Sequence, residues 1–205
     1  MNKLGVGVLV SGRGTNLQSL IDAARAADYP ARIAVVIGNR AEAPALERAR
    51  AAGLAAVFLD PKAYADRVSY DAAVLAALDA HGAELVCLAG YMRILSPGFV
   101  QALHGRLLNI HPSLLPAFPG LRPHEQALKH GVKLSGATVH FVDEGVDSGP
   151  VVLQAAVPVE PDDTEESLAA RILLEEHRIY PEAVRLFAEG RLEIHGRRVT
   201  IRETP

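Results

Sequence analysis

The chain has 205 residues, 49% of them hydrophobic, and a formal net charge of −3. That is enough apolar material for one core, and it gives no basic field to draw nucleic acid, although a small anionic ligand stays allowed. A single cysteine, Cys87, excludes an internal disulfide, and no apolar run approaches the roughly 20 residues needed to cross a bilayer. The opening MNKLGVGVLV lacks the length and the small-residue cleavage site of a signal peptide, so the expectation is a cytoplasmic protein without a nucleic-acid or membrane partner.

Short β-branched runs alternate with Ala-rich stretches of helical pattern through the first half, as in βαβ units that build a parallel sheet with helices on both faces. The fold class is α/β. Along the chain, strands are predicted at Leu4–Val10, Arg32–Ile37, Ala55–Leu59, Glu84–Leu88 and Leu107–Ile110, each a near-continuous apolar run that implies burial on both faces. Helices are predicted between them at Asn16–Ala27, Ala43–Ala52, Ala63–His81 and Pro97–Leu103. A Pro/Gly-rich loop, Pro112–Pro123, leads to a short helix at His124–His130. Next come KLSGATVHFV and VVLQAAVPV, which read as an antiparallel pair and make the sheet mixed. Thr164–Glu189 is a long amphipathic helix that Pro181 should kink, and RLEIHGRRVTI reads as a closing hairpin around His195-Gly196. No repeat, low-complexity tract or linker interrupts the chain, so a single domain is expected, with halves at 1–105 and 106–205.

The first strand runs straight into SGRGTNLQ, where Gly12 and Gly14 permit a tight turn. Thr15 with Gln18 fits a capping box, which would point the helix N-terminus at a bound anion. Dinucleotide binding matches poorly, because Leu17 replaces the third glycine and Gly38-Asn39-Arg40 supplies no acidic residue for a ribose. A P-loop fails for want of Lys-Ser/Thr. A single phosphate, as on a ribose 5-phosphate, remains, and an ordinary glycine turn fits the segment equally well.

Asn109 and His111, in RLLNIHPSLLP, share a face at the carboxyl end of the fifth strand, where open α/β sheets bind ligands. An amide donor beside a protonated imidazole suits a carbonyl that becomes an oxyanion, and Asp147, from VDEGVDSGP, would keep that imidazole charged and oriented. A loop-capping Asn–His pair is the plainer alternative. Eight histidines do not imply a metal, since His124-Glu125 lacks a second histidine four residues after the first and no zinc spacing occurs. There is no G-x-S-x-G nucleophile elbow; Ser113 reads as a turn residue, Cys87 as a buried structural thiol, and Arg197 and Arg198 as a solvated edge.

SGRGTNLQ, GNRAEAPALERARAAG, LAGYMRILSP, LLNIHPSLLPAFPG, HEQAL, GATVHFVDEGVDSGPVV and LLEEHRIYPEAV, in this order, resemble the phosphoribosylglycinamide formyltransferases over residues 11–187. The resemblance implies a Rossmann-like formyltransferase fold, mostly parallel with an antiparallel C-terminal part. It also implies formyl transfer from 10-formyltetrahydrofolate to the amine of glycinamide ribonucleotide, without a metal, by a monomer or homodimer. Asn109, His111 and Asp147 would be catalytic. Gly14, Thr15, Asn16 and Glu176 would bind the ribonucleotide. Arg67, Met92, Arg93, Ile94, Leu95, Asn109, Asp143, Glu144, Gly145 and Val146 would bind the folate. Plainer roles exist for several of these: Arg67 as a solvated charge, Met92 and Ile94 as core, Glu176 as half of a surface ion pair. Arg122-Pro123, in GLRPHEQAL after the catalytic segment, stands where the resembled family is variable and often carries a histidine or another small polar residue. Two relatives with the same core chemistry are expected to be longer, the formyltetrahydrofolate hydrolases by an N-terminal regulatory domain and the methionyl-tRNA formyltransferases by a tRNA-binding domain. A non-catalytic sugar-phosphate sensor is the rival from another class.

Overall fold

The computed structural model describes residues 3–203, and the chain separates into two compact units, Met1–Leu108 and Asn109–Pro205. In the first unit, β1 (Leu4–Val10) pairs in parallel with both β2 (Ala31–Gly38) and β4 (Leu85–Ala89), and β2 pairs in parallel with the short β3 (Ala56–Phe58). Parallel pairing needs a crossover on each connection, and α1 (Thr15–Ala24), α2 (Pro44–Ala51) and α3 (Arg67–Ala80) supply them. Val8, Leu9, Val10, Val35, Val36, Ile37 and Leu85 to Cys87 are all at 0% exposure, which is why these strands read as unbroken apolar runs.

The predicted helix Ala63–His81 is two elements, a 3₁₀ turn at Pro61–Ala63 and then α3. Asp66 ends the extended stretch between them. Its carboxylate accepts from the Ser69 N–H at 2.7 Å while Ser69 Oγ accepts from the Asp66 N–H at 3.2 Å, so the helix starts only after that capping box. α4 (Pro97–Ala102) follows, capped by Ser96.

The division between the units falls inside β5 (Leu107–His111). In the second unit, α5 (Pro123–His130) precedes the antiparallel pair β6 (Leu134–Phe141) and β7 (Val151–Pro158), with a register shift between Val139 and His140. α6 (Glu165–Ala188) packs on both strands and is assigned as helix across Pro181. The hairpin β8 (Leu192–His195) and β9 (Arg198–Ile201) joins β7 through β9 in parallel. The sheet is therefore mixed, parallel early and antiparallel late, as the sequence predicts. No described helix is long and apolar enough to cross a membrane.

Candidate active site

After β1 the chain turns sharply into α1. Gly14 holds φ 74°, and a Cβ there would lie 2.7 Å from the Ala45 side chain, so conformation and packing both demand glycine. The capping box expected of Thr15 and Gln18 does not form, because Gly14 itself is the N-cap and no side chain caps the first turn. Gln18 is engaged elsewhere, donating to Asp22 at 3.0 Å and accepting from Arg48 at 3.3 Å. Arg48 Nε also donates to the Arg13 carbonyl at 2.9 Å and holds the turn in place. With no acidic residue in its first turn, α1 keeps its positive end for an anion.

The segment Met92 to Leu95 is held from behind. The Met92 N–H donates to Ser11 Oγ at 2.8 Å, the Arg93 guanidinium lies 4.7 Å over the Tyr70 ring, and buried Asp71 accepts from the Ser96 N–H at 2.7 Å. Met92 and Ile94 stay 66% and 74% exposed, so the reading of them as core is wrong. Arg67 is exposed on the first turn of α3.

In the second unit Asp147 comes from the β6–β7 loop to meet the side chains of β5. Its Oδ2 lies 3.3 Å from His111 Nδ1 and accepts the Gly120 N–H at 2.8 Å, while its Oδ1 accepts from Asn109 Nδ2 at 3.4 Å. The expected convergence of Asn109, His111 and Asp147 is thus present in the geometry. Asp147 adopts φ 50°, a left-handed conformation that non-glycine residues hold only where the surroundings impose it. The loop is shaped by Asp143, whose Oδ1 accepts from the Gly145 N–H at 3.1 Å and from Ser148 Oγ at 2.6 Å. A Cβ on Gly149 would fall 1.8 Å from the Phe141 carbonyl, so only glycine lets the loop return to β6. Glu144 and Gly145 are exposed at its tip, and Val146 is 67% exposed.

His140 is missing from the sequence candidates. Its Nε2 lies 3.2 Å from Asn109 Nδ2 and 3.7 Å from Asp147 Oδ1. Its Nδ1 sits 2.8 Å from the Phe141 carbonyl, which can only accept, so the proton is on Nδ1 and Nε2 accepts from the amide. The signal that could have found it is a histidine two residues beyond Thr138 in a strand of otherwise apolar and small residues; the register shift beside it re-aims the side chain.

His111 Nε2 lies 2.9 Å from the Phe118 carbonyl and therefore carries a proton, which leaves Nδ1 facing the Asp147 carboxylate. Burial pushes the imidazole below its ordinary range, against the pull of the Phe118 carbonyl and Asp147, with His140 adding a smaller downward push. The Asp147 carboxylate, expected from the sequence to favour the charged imidazole, pulls in that direction from 3.3 Å, and desolvation opposes it. Burial pushes Asp147 up, but the Gly120 N–H that its Oδ2 accepts at 2.8 Å and the neighbouring imidazoles outweigh that, holding the carboxyl below its usual range.

A cavity of about 220 Å³ opens beside Asp147, walled by Leu115, Pro116, Pro119 and Val146, with Arg197 as its cation. Arg197 is exposed yet lines this cavity, so it is more than a solvated edge. Glu176 is 6% exposed on α6, which rules out a surface ion pair. Cys87 is buried in β4, and Ser113 closes a turn by donating to the Ala117 carbonyl at 2.6 Å. Arg122, at φ 56°, is the N-cap of α5 with Pro123 in the first turn, and it pairs with Glu125 at 2.7 Å.

The formyl transferase family matches residues 5–184. The chain is 47% identical over 192 residues to the phosphoribosylglycinamide formyltransferase of Escherichia coli, an alignment covering 94% of this chain and 91% of that one. It is 48% identical to the trifunctional purine biosynthetic protein adenosine-3 of Homo sapiens, of which it spans 19%. Glycinamide ribonucleotide transformylase 1 from Symbiobacterium toebii superimposes with a TM-score of 0.96 at 60% identity, over 98% of this chain and 95% of that one. By sequence and by fold the chain belongs to the formyl transferase family, and within it to the phosphoribosylglycinamide formyltransferases.

Proposed function

We propose that this protein transfers the formyl group of 10-formyltetrahydrofolate to the amine of 5-phosphoribosylglycinamide, giving N-formylglycinamide ribonucleotide and tetrahydrofolate in purine biosynthesis. The observation that carries the reading is the contact set of Asn109, His111 and Asp147, an amide donor and a buried imidazole held by one carboxylate. The substrate amine attacks the formyl carbon, the carbonyl oxygen becomes an oxyanion, and the C–N bond to the folate breaks once that nitrogen gains a proton.

Asn109 donates to the formyl oxygen with the N–H that otherwise reaches Asp147 over a long 3.4 Å, while its other N–H stays on His140. His111 presents Nδ1 to a carboxylate oxygen, an arrangement favoured once Nδ1 takes up the proton that the attacking amine loses. The imidazolium so formed offsets the oxyanion charge. Asp147, ionised throughout, stabilises that cation and, through a water, helps pass the amine proton toward the departing folate nitrogen. The N-terminus of α1, with Gly14, Thr15 and Asn16, takes the ribonucleotide phosphate, and buried Glu176 takes its sugar or glycinamide end. Exposed Met92 and Ile94 suit a flat pterin, as does Val146 in the second unit; Arg93, Leu95, Asp143, Glu144 and Gly145 belong to the same two folate-binding segments, and Arg67 meets the folate tail. Both substrates are small molecules, and the chemistry uses no metal, nucleic acid or membrane.

The test follows deformylation of 10-formyltetrahydrofolate with and without glycinamide ribonucleotide. Loss of the formyl group that depends on the amine is the expected result. Loss in water alone would make the protein a hydrolase, and binding of the ribonucleotide without any turnover would make it a sensor.

A further inference from the structure

Beyond the catalytic contacts, a second set of polar groups, one buried and one exposed, lies against the loop that follows β5. Thr138 on β6 and Gln154 on β7 are directly paired across the strands. Thr138 Oγ1 donates to the Ser113 carbonyl at 2.7 Å and accepts from the Leu115 N–H at 3.1 Å and from Gln154 Nε2 at 2.9 Å. One donor and two lone pairs are all a hydroxyl has, so this one is saturated, and its proton can only point at Ser113. Gln154 Nε2 spends its second N–H on the Leu115 carbonyl at 2.8 Å, which also settles the sense of the amide. Both backbone polar groups of a buried loop residue are therefore held by side chains rather than by a strand ladder. Three residues on, the same loop presents the Phe118 carbonyl to His111, and then the Gly120 N–H to Asp147. Gln126 of α5 holds the far end, donating to the carbonyls of Pro119 at 3.2 Å and Leu121 at 2.9 Å.

We propose that Gln154, acting with Thr138, is a positioning residue for formyl transfer: the pair fixes the loop 113–117 so that the Phe118 carbonyl and the Gly120 amide hold His111 and Asp147 in reacting geometry. Neither side chain touches the reacting atoms, and the proposal rests on the function proposed above. A loop free to shift by about 1 Å loses on the order of 10²-fold in rate, because an imidazole and a carboxylate that must act together no longer face each other. The same slip removes the acceptor from His111 Nε2, and the imidazole then protonates only at lower pH.

Gln154→Met keeps the side-chain volume without the amide, Thr138→Val keeps the shape without the hydroxyl, and Thr138→Ser restores the hydroxyl alone. The experiment measures kcat, both KM values, the acid limb of the pH profile and the melting temperature of each variant. Gln154→Met and Thr138→Val are expected to lose about 10–100-fold in kcat with KM little changed and the acid limb moved to lower pH, while Thr138→Ser stays close to the parent. Unchanged kcat and an unmoved acid limb in folded Gln154→Met would overturn the proposal, as would losses that vanish when the assay is run well below each variant's melting temperature. If Thr138→Val does not fold, Gln154→Met decides alone, since its side chain is exposed and its burial is not at stake. Should the parent protein fail to transfer formyl, the functional reading has failed, and the positioning claim is still read from ¹⁵N titration of the His111 ring, which must shift in Gln154→Met.

Discussion

Asn109 carries the amide that faces both Asp147 and His140, so removing it tests the oxyanion role most directly. Asn109→Ala is expected to lower kcat by about 10²–10³-fold, the usual cost of one oxyanion donor, in steady-state assays with both substrates saturating. His111 gives a signed pH prediction. Burial depresses its pKa, so kcat/KM is expected to hold near neutrality and to fall only as pH drops below the ordinary 6.5. Asp147 pulls the imidazole up, so Asp147→Asn should move the acid limb to still lower pH while the rate falls. A limb that stayed in place would show that another group sets it. Gly14→Ala should cost at least about 1–2 kcal/mol for the left-handed backbone alone, with the Ala45 clash added, and raise KM for the ribonucleotide as the turn shifts. Denaturant melts and ribonucleotide titrations check this pair of effects.

At the scale of elements, the start of α3 was the hardest to place, four residues past the predicted Ala63, whereas the other helix starts fall within one residue of their predictions. α3 begins at Arg67 and α6 at Glu165 because Asp66 and Thr164 close capping boxes with Ser69 and Ser167, serines that do not fit the usual Glu/Gln pattern. Thr164 Oγ1 accepts from the Ser167 N–H at 3.2 Å, and Asp163 braces the same turn through Ser167 and a two-pronged contact with Arg171 at 2.7 and 2.9 Å. Thr164→Ala should therefore cost about 1 kcal/mol, readable as a lowered denaturant midpoint with an unchanged m value. The strands were legible from unbroken apolar runs because parallel strands are buried on both faces. The register shift at His140 was not, since nothing local in GATVHFV announces where a partner strand will slip.

Over the whole molecule, three histidines, His111, His124 and His177, are pushed below 6.5 chiefly by burial. As pH falls below about 6.5 the unfolded chain binds protons at these sites before the folded one does, so stability should decline through that window and level off once the folded sites also protonate. Asp147, held below 3.8, extends the loss into more acidic solution. Unfolding free energies measured between pH 8 and pH 5 check the sign; a rise on acidification would refute it. The sequence by itself determined the α/β class, the glycine turn before α1 and the family, because apolar runs, a left-handed turn and contiguous motifs are local properties of the chain. Only the tertiary structure decided that Asp147, 36 residues beyond His111 along the chain, meets it at 3.3 Å, that His140 joins them, and that burial pulls the imidazole's pKa down. Those outcomes depend on distances between residues remote in sequence and on the loss of water around them, which no local pattern encodes.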